Sequence, residues 1–172
     1  MHLYTFSSAP NPRRLALFLS CKNIDVPTTE IDMRAGEHLG DTFLAVNPHG
    51  TVPALVTDEG TTLTEVIGIC AYLEAKFPDR PLLGEGPLEH ALVLSWDHRV
   101  FVSVLEAFAE ILRNRSPAFA RRALPGPIEV EQIPALVDRG RQRYRASLRL
   151  IDREMGDRPF LCGDRFTLAD IS

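Results

Sequence analysis

The sequence predicts an α/β domain followed by an all-α domain. Residues 1–78 alternate short strand patterns with helical patterns, as mixed α/β domains do. Residues 79–87, "DRPLLGEGP", are rich in proline and glycine and are predicted to form an interdomain linker. Residues 88–172 carry long apolar stripes at three- and four-residue spacing, which predicts helices.

In the first region we expect a small mixed sheet packed with helices. Residues 2–6 predict a strand, and Asn11 is expected to cap the next helix because Pro12 then occupies the favoured first turn. The further predicted elements are strands over 28–33, 54–57 and 61–63, a partly helical stretch over 36–46, and a helix over 65–77. A strand–helix–strand unit normally has parallel strands and a hairpin is antiparallel, so the sheet should be mixed.

Two long helices are predicted in the second region. The first runs from Leu88 to about Asn114, and the second runs from about Val130 to Met155 after the break "SPAFARRALPGP". We expect the many arginines of the second helix to form a solvated face. Its predicted inward positions are Ile133, Leu136, Val137, Tyr144, Leu148 and Ile151.

Composition excludes several classes of protein. A formal net charge of -4 offers no broad basic field, so nucleic acid is not an expected partner. The three cysteines form no Cys-x-x-Cys pair, which predicts neither a zinc site nor a disulfide framework and fits a reduced, cytoplasmic protein. No segment approaches the roughly 20 apolar residues of a membrane span, so we expect no membrane association.

Three separated motifs point to one family. "SSAPNPRR" follows the first predicted strand, "NPHGTVPAL" precedes the third, and "FLCGDRFTLADIS" lies at the end. Together they resemble the glutathione transferases over essentially the whole chain. The resemblance implies a thioredoxin-like amino-terminal domain that binds glutathione as a co-substrate, with no resident cofactor. It also implies a helical domain that supplies the pocket for a second substrate, and a homodimer.

The loop before the first helix contains the expected catalytic group. In thioredoxin-like redox proteins this loop carries a reactive cysteine, because the positive helix terminus favours a thiolate. Here the loop has hydroxyls instead, and a hydroxyl can donate a hydrogen bond to a thiolate that belongs to the ligand. Ser8 matches the serine-type members of the family, whereas Ser7 matches if the loop is aligned on its paired serines. We rank Ser8 first, Ser7 second and Asn11 third. Taken alone, the hydroxyls would favour a simple loop cap, and the other two motifs overturn that interpretation.

The "NPHGTVPAL" motif is expected to bind the backbone of glutathione. The resemblance implies a cis Val52-Pro53 bond, which would turn the N–H and C=O of Val52 outward to pair with a short peptide as an added strand does. Without the resemblance, a trans bond would be expected. His49 and Thr51, in the same motif, are further candidate glutathione contacts.

The start of the third helix departs from the family pattern. The resemblance places an acid here near the ligand's amino group, followed by a serine or threonine on its γ-glutamyl carboxylate. Glu65 matches the acid, but the next residue is Val66. One charge-assisted hydrogen bond, on the order of 1.5 to 3 kcal/mol, is therefore missing. We expect weaker glutathione binding unless His49 or Thr51 compensates.

The predicted function is a glutathione transferase that activates the thiol for attack on an apolar, electrophilic small molecule, as in detoxification. Trp96 and Arg99, on the first long helix, are candidates for the acceptor pocket, although a tryptophan at such spacing also suits a plain core. Because Val66 weakens the expected site, the alternative is a glutathione transferase-like binding or regulatory protein without turnover.

The segment "TLADIS" predicts the start of one more helix. Thr167 with Asp170 three residues later resembles a capping box, with Asp in place of Glu or Gln. The sequence reaches Ser172 about one turn later, whereas the resemblance implies further helices. We therefore expect an incomplete helical domain, a longer natural chain, and reduced stability with exposed apolar surface for residues 1–172 alone.

Overall fold

The computed structural model describes all residues from 1 to 172, and the chain divides into two compact units. Unit 1 comprises Met1–Leu82 together with Ile171, and unit 2 comprises Leu83–Asp170 together with Ser172. The first unit is a sheet with helices and the second is helical, so the predicted fold class is confirmed. None of the helices combines the length and the apolar character that a membrane span requires.

Unit 1 contains a four-stranded sheet in the order β2-β1-β3-β4. Strand β2 is parallel to β1, β3 is antiparallel to β1, and β4 is antiparallel to β3, which confirms the predicted mixed sheet. The strands are β1 His2–Thr5, β2 Thr28–Glu30, β3 Ala54–Val56 and β4 Thr62–Leu63.

Strand register brings three connections to one end of this sheet. Tyr4 pairs with Ala54, so the residues that follow β1 and those that precede β3 lie at the same end. Leu55 pairs with Leu63, and because β4 runs in the direction of β1, the residues after β4 lie there too. We call this end the carboxyl end of β1.

The helices of unit 1 follow the strands closely. They are α1 Pro10–Lys22, the short α2 Asp41–Leu44 and α3 Val66–Lys76, with a 3-10 turn over Glu37–Leu39. The prediction that Asn11 caps α1 was wrong: the cap position is Ala9, and Pro10 is the first helical residue. Proline is favoured in the first turn of a helix, and both Pro10 and Pro12 lie in the first turn when the helix begins at Pro10.

A buried ion pair fastens the end of unit 1 to its helices. The ammonium of Lys22, with a side chain 0% exposed, lies 2.6 Å from the carboxylate of Glu74, whose side chain is 14% exposed. Lys22 also donates to the carbonyl oxygens of Asp79 and Arg80, and Glu74 accepts from the N–H of Leu82. The last residues of unit 1 are therefore held by α1 and α3 together.

Unit 2 is built mainly from two long helical stretches. The first is continuous and includes a π-helical segment, and the second is a single helix. The elements are α4 Pro87–Val100, the π-helical segment Phe101–Leu105, α5 Glu106–Arg115, a 3-10 turn Pro117–Phe119, α6 Ala135–Met155 and the short α7 Leu168–Ile171. Gly140 permits a close approach of α6 to α5, because a Cβ atom there would lie 2.9 Å from the side chain of Ile111 and 3.1 Å from the carbonyl oxygen of Ala107.

The second long helix begins later than predicted. It starts at Ala135 rather than near Val130, because the backbone N–H of Ile133 donates to the buried side chain of Asn114 and Pro134 offers no donor. Two predicted inward residues are exposed instead: Ile133 at 52% and Leu148 at 43%. Val137 is buried as expected.

The end of unit 2 confirms the predicted capping box. The carboxylate of Asp170 accepts hydrogen bonds from the N–H and the hydroxyl of Thr167, at 2.8 and 3.0 Å. Its other oxygen accepts from the N–H of Leu161 at 2.8 Å. This carboxylate therefore joins the start of α7 to the segment before it.

Candidate functional site

The loop between β1 and α1 gives its two serines different surroundings. Ser7 donates its backbone N–H and its hydroxyl to one oxygen of Glu30, at 2.7 and 2.9 Å. Glu30 is the last residue of β2, the strand parallel to β1, and Ser7 follows β1 closely. Ser8 is exposed, and its hydroxyl makes no hydrogen bond. Only Ser8 therefore presents an unengaged hydroxyl proton.

Asn11 lies in the first turn of α1 rather than before it. Its side-chain oxygen accepts a hydrogen bond from the guanidinium of Arg14 at 3.3 Å, and Arg14 is buried. The side-chain N–H group of Asn11 is the donor that remains for another partner. The structure thus leaves Asn11 as a possible donor without bringing it into a hydrogen bond with either serine.

The loop before β3 is built around Asn47, which is 0% exposed. Its side-chain nitrogen donates to the carbonyl oxygen of Thr51 at 2.7 Å and to the Thr51 hydroxyl at 3.1 Å. Its side-chain oxygen accepts from the N–H of His49 at 3.0 Å. Gly50 has a φ of 59°, and a Cβ atom there would lie 3.1 Å from the side chain of Leu39. The loop is therefore packed and hydrogen-bonded from within.

The Val52-Pro53 peptide bond is cis, as the resemblance implies. The Val52 side chain belongs to a buried cluster with Ile31, Phe43 and Ala54, against which Phe6 also packs. The hydrogen bonds of this loop do not involve the N–H or the C=O of Val52. Val52 thus has a buried side chain and backbone N–H and C=O groups that are not paired within the protein.

The amino terminus of α3 offers backbone donors. Glu65 is the exposed N-cap residue, and its side chain makes no capping hydrogen bond. Ile69 is the first residue whose N–H bonds back to the cap, so the N–H groups of Val66, Ile67 and Gly68 have no partner within the helix. The Val66 side chain is 5% exposed and supplies no polar group.

These three elements lie at one end of the sheet. Ser7 and Ser8 follow β1, Val52 precedes β3, and Glu65 follows β4, so all of them lie at the carboxyl end of β1. That end presents a hydroxyl, open peptide groups and the positive end of a helix. The hydroxyl and the unpaired N–H groups are hydrogen-bond donors, which suit the anionic groups of a ligand.

A more exposed group of charges in unit 1 lies at the opposite end of the sheet. Asp58 follows β3 and accepts a hydrogen bond from Lys76 at 2.6 Å and another from the chain's amino terminus. These two ammonium groups lower the pKa of Asp58 to about 2. The residues that pair with Asp58 are therefore separate from those at the carboxyl end of β1.

The two candidate acceptor-pocket residues lie in unit 2. Trp96 is buried in a cluster with Val100, Leu161 and Ala169. The guanidinium of Arg99 lies over the Trp96 ring at 4.6 Å from its centre, and Arg99 forms an ion pair with Glu154. Trp96 therefore belongs to the core of unit 2 and Arg99 is an exposed residue over its ring, and the role of both residues in substrate binding stays a prediction.

Two residues of this site were absent from the sequence prediction. The signal for Asn47 was present, since an Asn before Pro often folds its side chain back onto the following backbone. Glu30 had no such signal, because its bonds to Ser7 depend on the pairing of β1 with β2.

Comparison with known proteins identifies the family. Residues 9–76 match the family model "Glutathione S-transferase, N-terminal domain", and residues 134–172 match "Glutathione S-transferase, C-terminal domain". Glutathione S-transferase 2 of Saccharomyces cerevisiae is 30% identical over 175 residues, which cover 100% of this chain and 72% of that protein. The chain belongs to the glutathione S-transferase family.

Other similar proteins agree on the family and the fold. Glutathione S-transferase GstA of Escherichia coli O157:H7 is 31% identical over 76% of this chain and 58% of that protein. A crystal structure of a glutathione S-transferase domain-containing protein from Marinobacter aquaeolei VT8 superimposes with a TM-score of 0.88 and 29% identity, over 99% of this chain and 82% of that one. The described glutathione S-transferase fold thus corresponds to a large part, not the whole, of these relatives.

Proposed function

We propose that this glutathione S-transferase family member binds glutathione at the carboxyl end of β1 and activates its thiol for attack on an apolar, electrophilic small molecule. The observation that carries the proposal is the loop at Val52, whose backbone N–H and C=O are unpaired while its side chain is buried. An extended peptide can add to such a loop through main-chain hydrogen bonds. Glutathione is a peptide of this kind.

Ser8 is the proposed catalytic residue. Its hydroxyl would donate to the glutathione thiolate, which lowers the thiol pKa by stabilising the charged form. The bond between Ser7 and Glu30 supports this choice, because the Ser7 proton is already donated to a carboxylate. The nearby start of α1, at Pro10, would add its positive terminus. Asn11 remains a proposed auxiliary donor through its side-chain N–H.

The other proposed contacts hold the γ-glutamyl end of glutathione. Glu65 would pair with the ligand's ammonium group, and the open N–H groups that begin at Val66 would hold its carboxylate. His49 is exposed beside the loop, and Thr51 has its hydroxyl engaged by Asn47, so His49 is the better candidate to compensate for the missing hydroxyl at position 66.

We also propose a homodimer in the cytoplasm and an acceptor pocket that includes Trp96 and Arg99. These proposals rest on membership of the family and on the positions of the two residues along α4. Sedimentation analysis would test the dimer: a monomer at micromolar concentration would contradict it.

Calorimetry with glutathione, followed by a conjugation assay on a panel of electrophiles, tests the proposed function. We expect saturable binding and turnover with at least one electrophile. Binding without turnover across the panel would favour a binding or regulatory protein instead. Absence of binding would contradict the proposed site altogether.

A further inference from the structure

We propose that Asn47 is a positioning residue that aims the N–H of Val52 at the glutathione backbone. This inference rests on the proposed glutathione site and adds a residue that does not touch the ligand. Asn47 is 0% exposed, and each hydrogen bond of its amide goes to the segment just before the cis bond.

The geometry of one peptide group links Asn47 to the ligand. The carbonyl of Thr51 and the N–H of Val52 belong to the same peptide unit, which is planar and trans. In such a unit the C=O and the N–H point in opposite directions. Because the Asn47 amide holds the Thr51 carbonyl at 2.7 Å, the N–H of Val52 points away from the buried Asn47 side chain.

The hydrogen-bonding capacity of Asn47 is used almost completely. Its side-chain NH2 group donates to the carbonyl oxygen and the hydroxyl of Thr51, and its side-chain oxygen accepts from the N–H of His49. No group of Asn47 is left for a ligand at the surface. Its contribution to binding is therefore to populate one orientation of the Thr51-Val52 peptide, and affinity falls in proportion to the fraction of molecules in that orientation.

Asn47→Asp is the sharpest test, because it keeps the size of the side chain and the acceptor for His49 while it removes the donor to Thr51. Calorimetry should show glutathione binding weakened by about tenfold or more. The pKa of the bound thiol, followed by thiolate absorbance, should not change, since Ser8 is unaffected. A substitution that only destabilised the fold would not weaken glutathione binding while leaving the pKa of the bound thiol unchanged.

Asn114→Asp is a matched control in unit 2. Asn114 is also buried, at 8% exposure, and it also bridges a loop, by donating to the carbonyl of Glu110 and accepting from the N–H of Ile133. This variant should bind glutathione like the unsubstituted protein. Equal affinity of a folded Asn47→Asp variant, or an equal loss in Asn114→Asp, would overturn the inference.

Two further outcomes keep the test decisive. If the unsubstituted protein binds no glutathione, the proposed function fails and this inference fails with it, before any variant is needed. If Asn47→Asp does not fold, hydrogen exchange of the Asn47 side-chain amide in the unsubstituted protein replaces it: bound glutathione should slow that exchange at least severalfold. Unchanged exchange at saturating glutathione would contradict the role of Asn47.

Discussion

The two loops at the carboxyl end of β1 are stabilised in different ways. The loop that carries Ser7 and Ser8 is held by an exposed carboxylate, that of Glu30, and by a backbone turn. The loop that ends at Val52 is held by the fully buried amide of Asn47 and by a packed apolar cluster. An unpaired polar group costs more free energy when it is buried than when it is exposed. The loop at Val52 therefore has fewer alternative conformations of low free energy.

This difference matches the tasks that we propose for the loops. Recognition of a peptide backbone requires fixed N–H and C=O directions, which the Val52 loop provides. A hydroxyl that follows a sulfur atom through binding and reaction can tolerate adjustment, which the Ser8 loop permits. Substitutions should therefore separate affinity from thiol activation.

The largest expected effect tests whether either loop depends on the far end of α1. Lys22→Met removes one partner of the buried pair with Glu74 and leaves that carboxylate without its ammonium. The free energy of unfolding should fall by about 3 kcal/mol in urea denaturation. Glutathione affinity of the folded protein should stay unchanged.

Glu74→Gln is the reciprocal variant, because its single side-chain oxygen can accept from the N–H of Leu82 or from Lys22 but not from both. It should also lower the free energy of unfolding, by less than Lys22→Met, because Lys22 keeps its bonds to the carbonyl oxygens of Asp79 and Arg80. A Lys22→Met variant of unchanged stability, or one that binds glutathione poorly while folded, would show that the ends of α1 are not independent.

Ser8→Ala should separate activation from binding. Turnover should fall by roughly tenfold or more and the kinetic pKa of bound glutathione should rise, because the thiolate loses a hydrogen-bond donor. Affinity should change little. Ser7→Ala is the matched control and should leave the pH–rate profile in place, since the Ser7 hydroxyl is bonded to Glu30. The opposite pattern would transfer the catalytic role to Ser7.

Val66→Ser should strengthen the binding of glutathione without changing the activation of its thiol. A hydroxyl at the start of α3 would offer a donor to the γ-glutamyl carboxylate, and calorimetry should show affinity increased by up to roughly tenfold. The buried position means that the loss of methyl groups should lower the free energy of unfolding by about 1 to 2 kcal/mol. Val66→Ala, with the same loss and no hydroxyl, should show no gain in affinity. Equal affinity of both variants would place the carboxylate elsewhere.

Glu30→Ala should have the smallest effect, because its bonds to Ser7 are exposed. Loss of this support should reduce turnover by about threefold through misplacement of Ser8, without a change in glutathione affinity. Glu30→Gln retains an acceptor and should recover most of the activity. A loss as large as that of Ser8→Ala would mean that the Ser8 loop is as rigidly specified as the Val52 loop.

Local patterns predicted most elements, and tertiary contacts explain where they failed. The strands, the long helices and the Thr167 capping box follow from periodicity and end signals that act within a few residues. The start of α6 did not, because the N–H of Ile133 is taken by Asn114, which lies on another helix. The predicted burial of Leu148 was also wrong, because an apolar position on a helix does not indicate which neighbouring element, if any, covers it.

The sequence by itself determined the family, the order of the elements and the residue types at the site, because motifs and periodicity are properties of short segments. Only the tertiary structure decided which serine keeps a free hydroxyl and how the Val52 peptide is oriented. Those outcomes depend on Glu30 reaching Ser7 across paired strands and on Asn47 being enclosed by the fold. Hydrogen bonds of this kind are set by distances between segments, which a linear pattern does not contain.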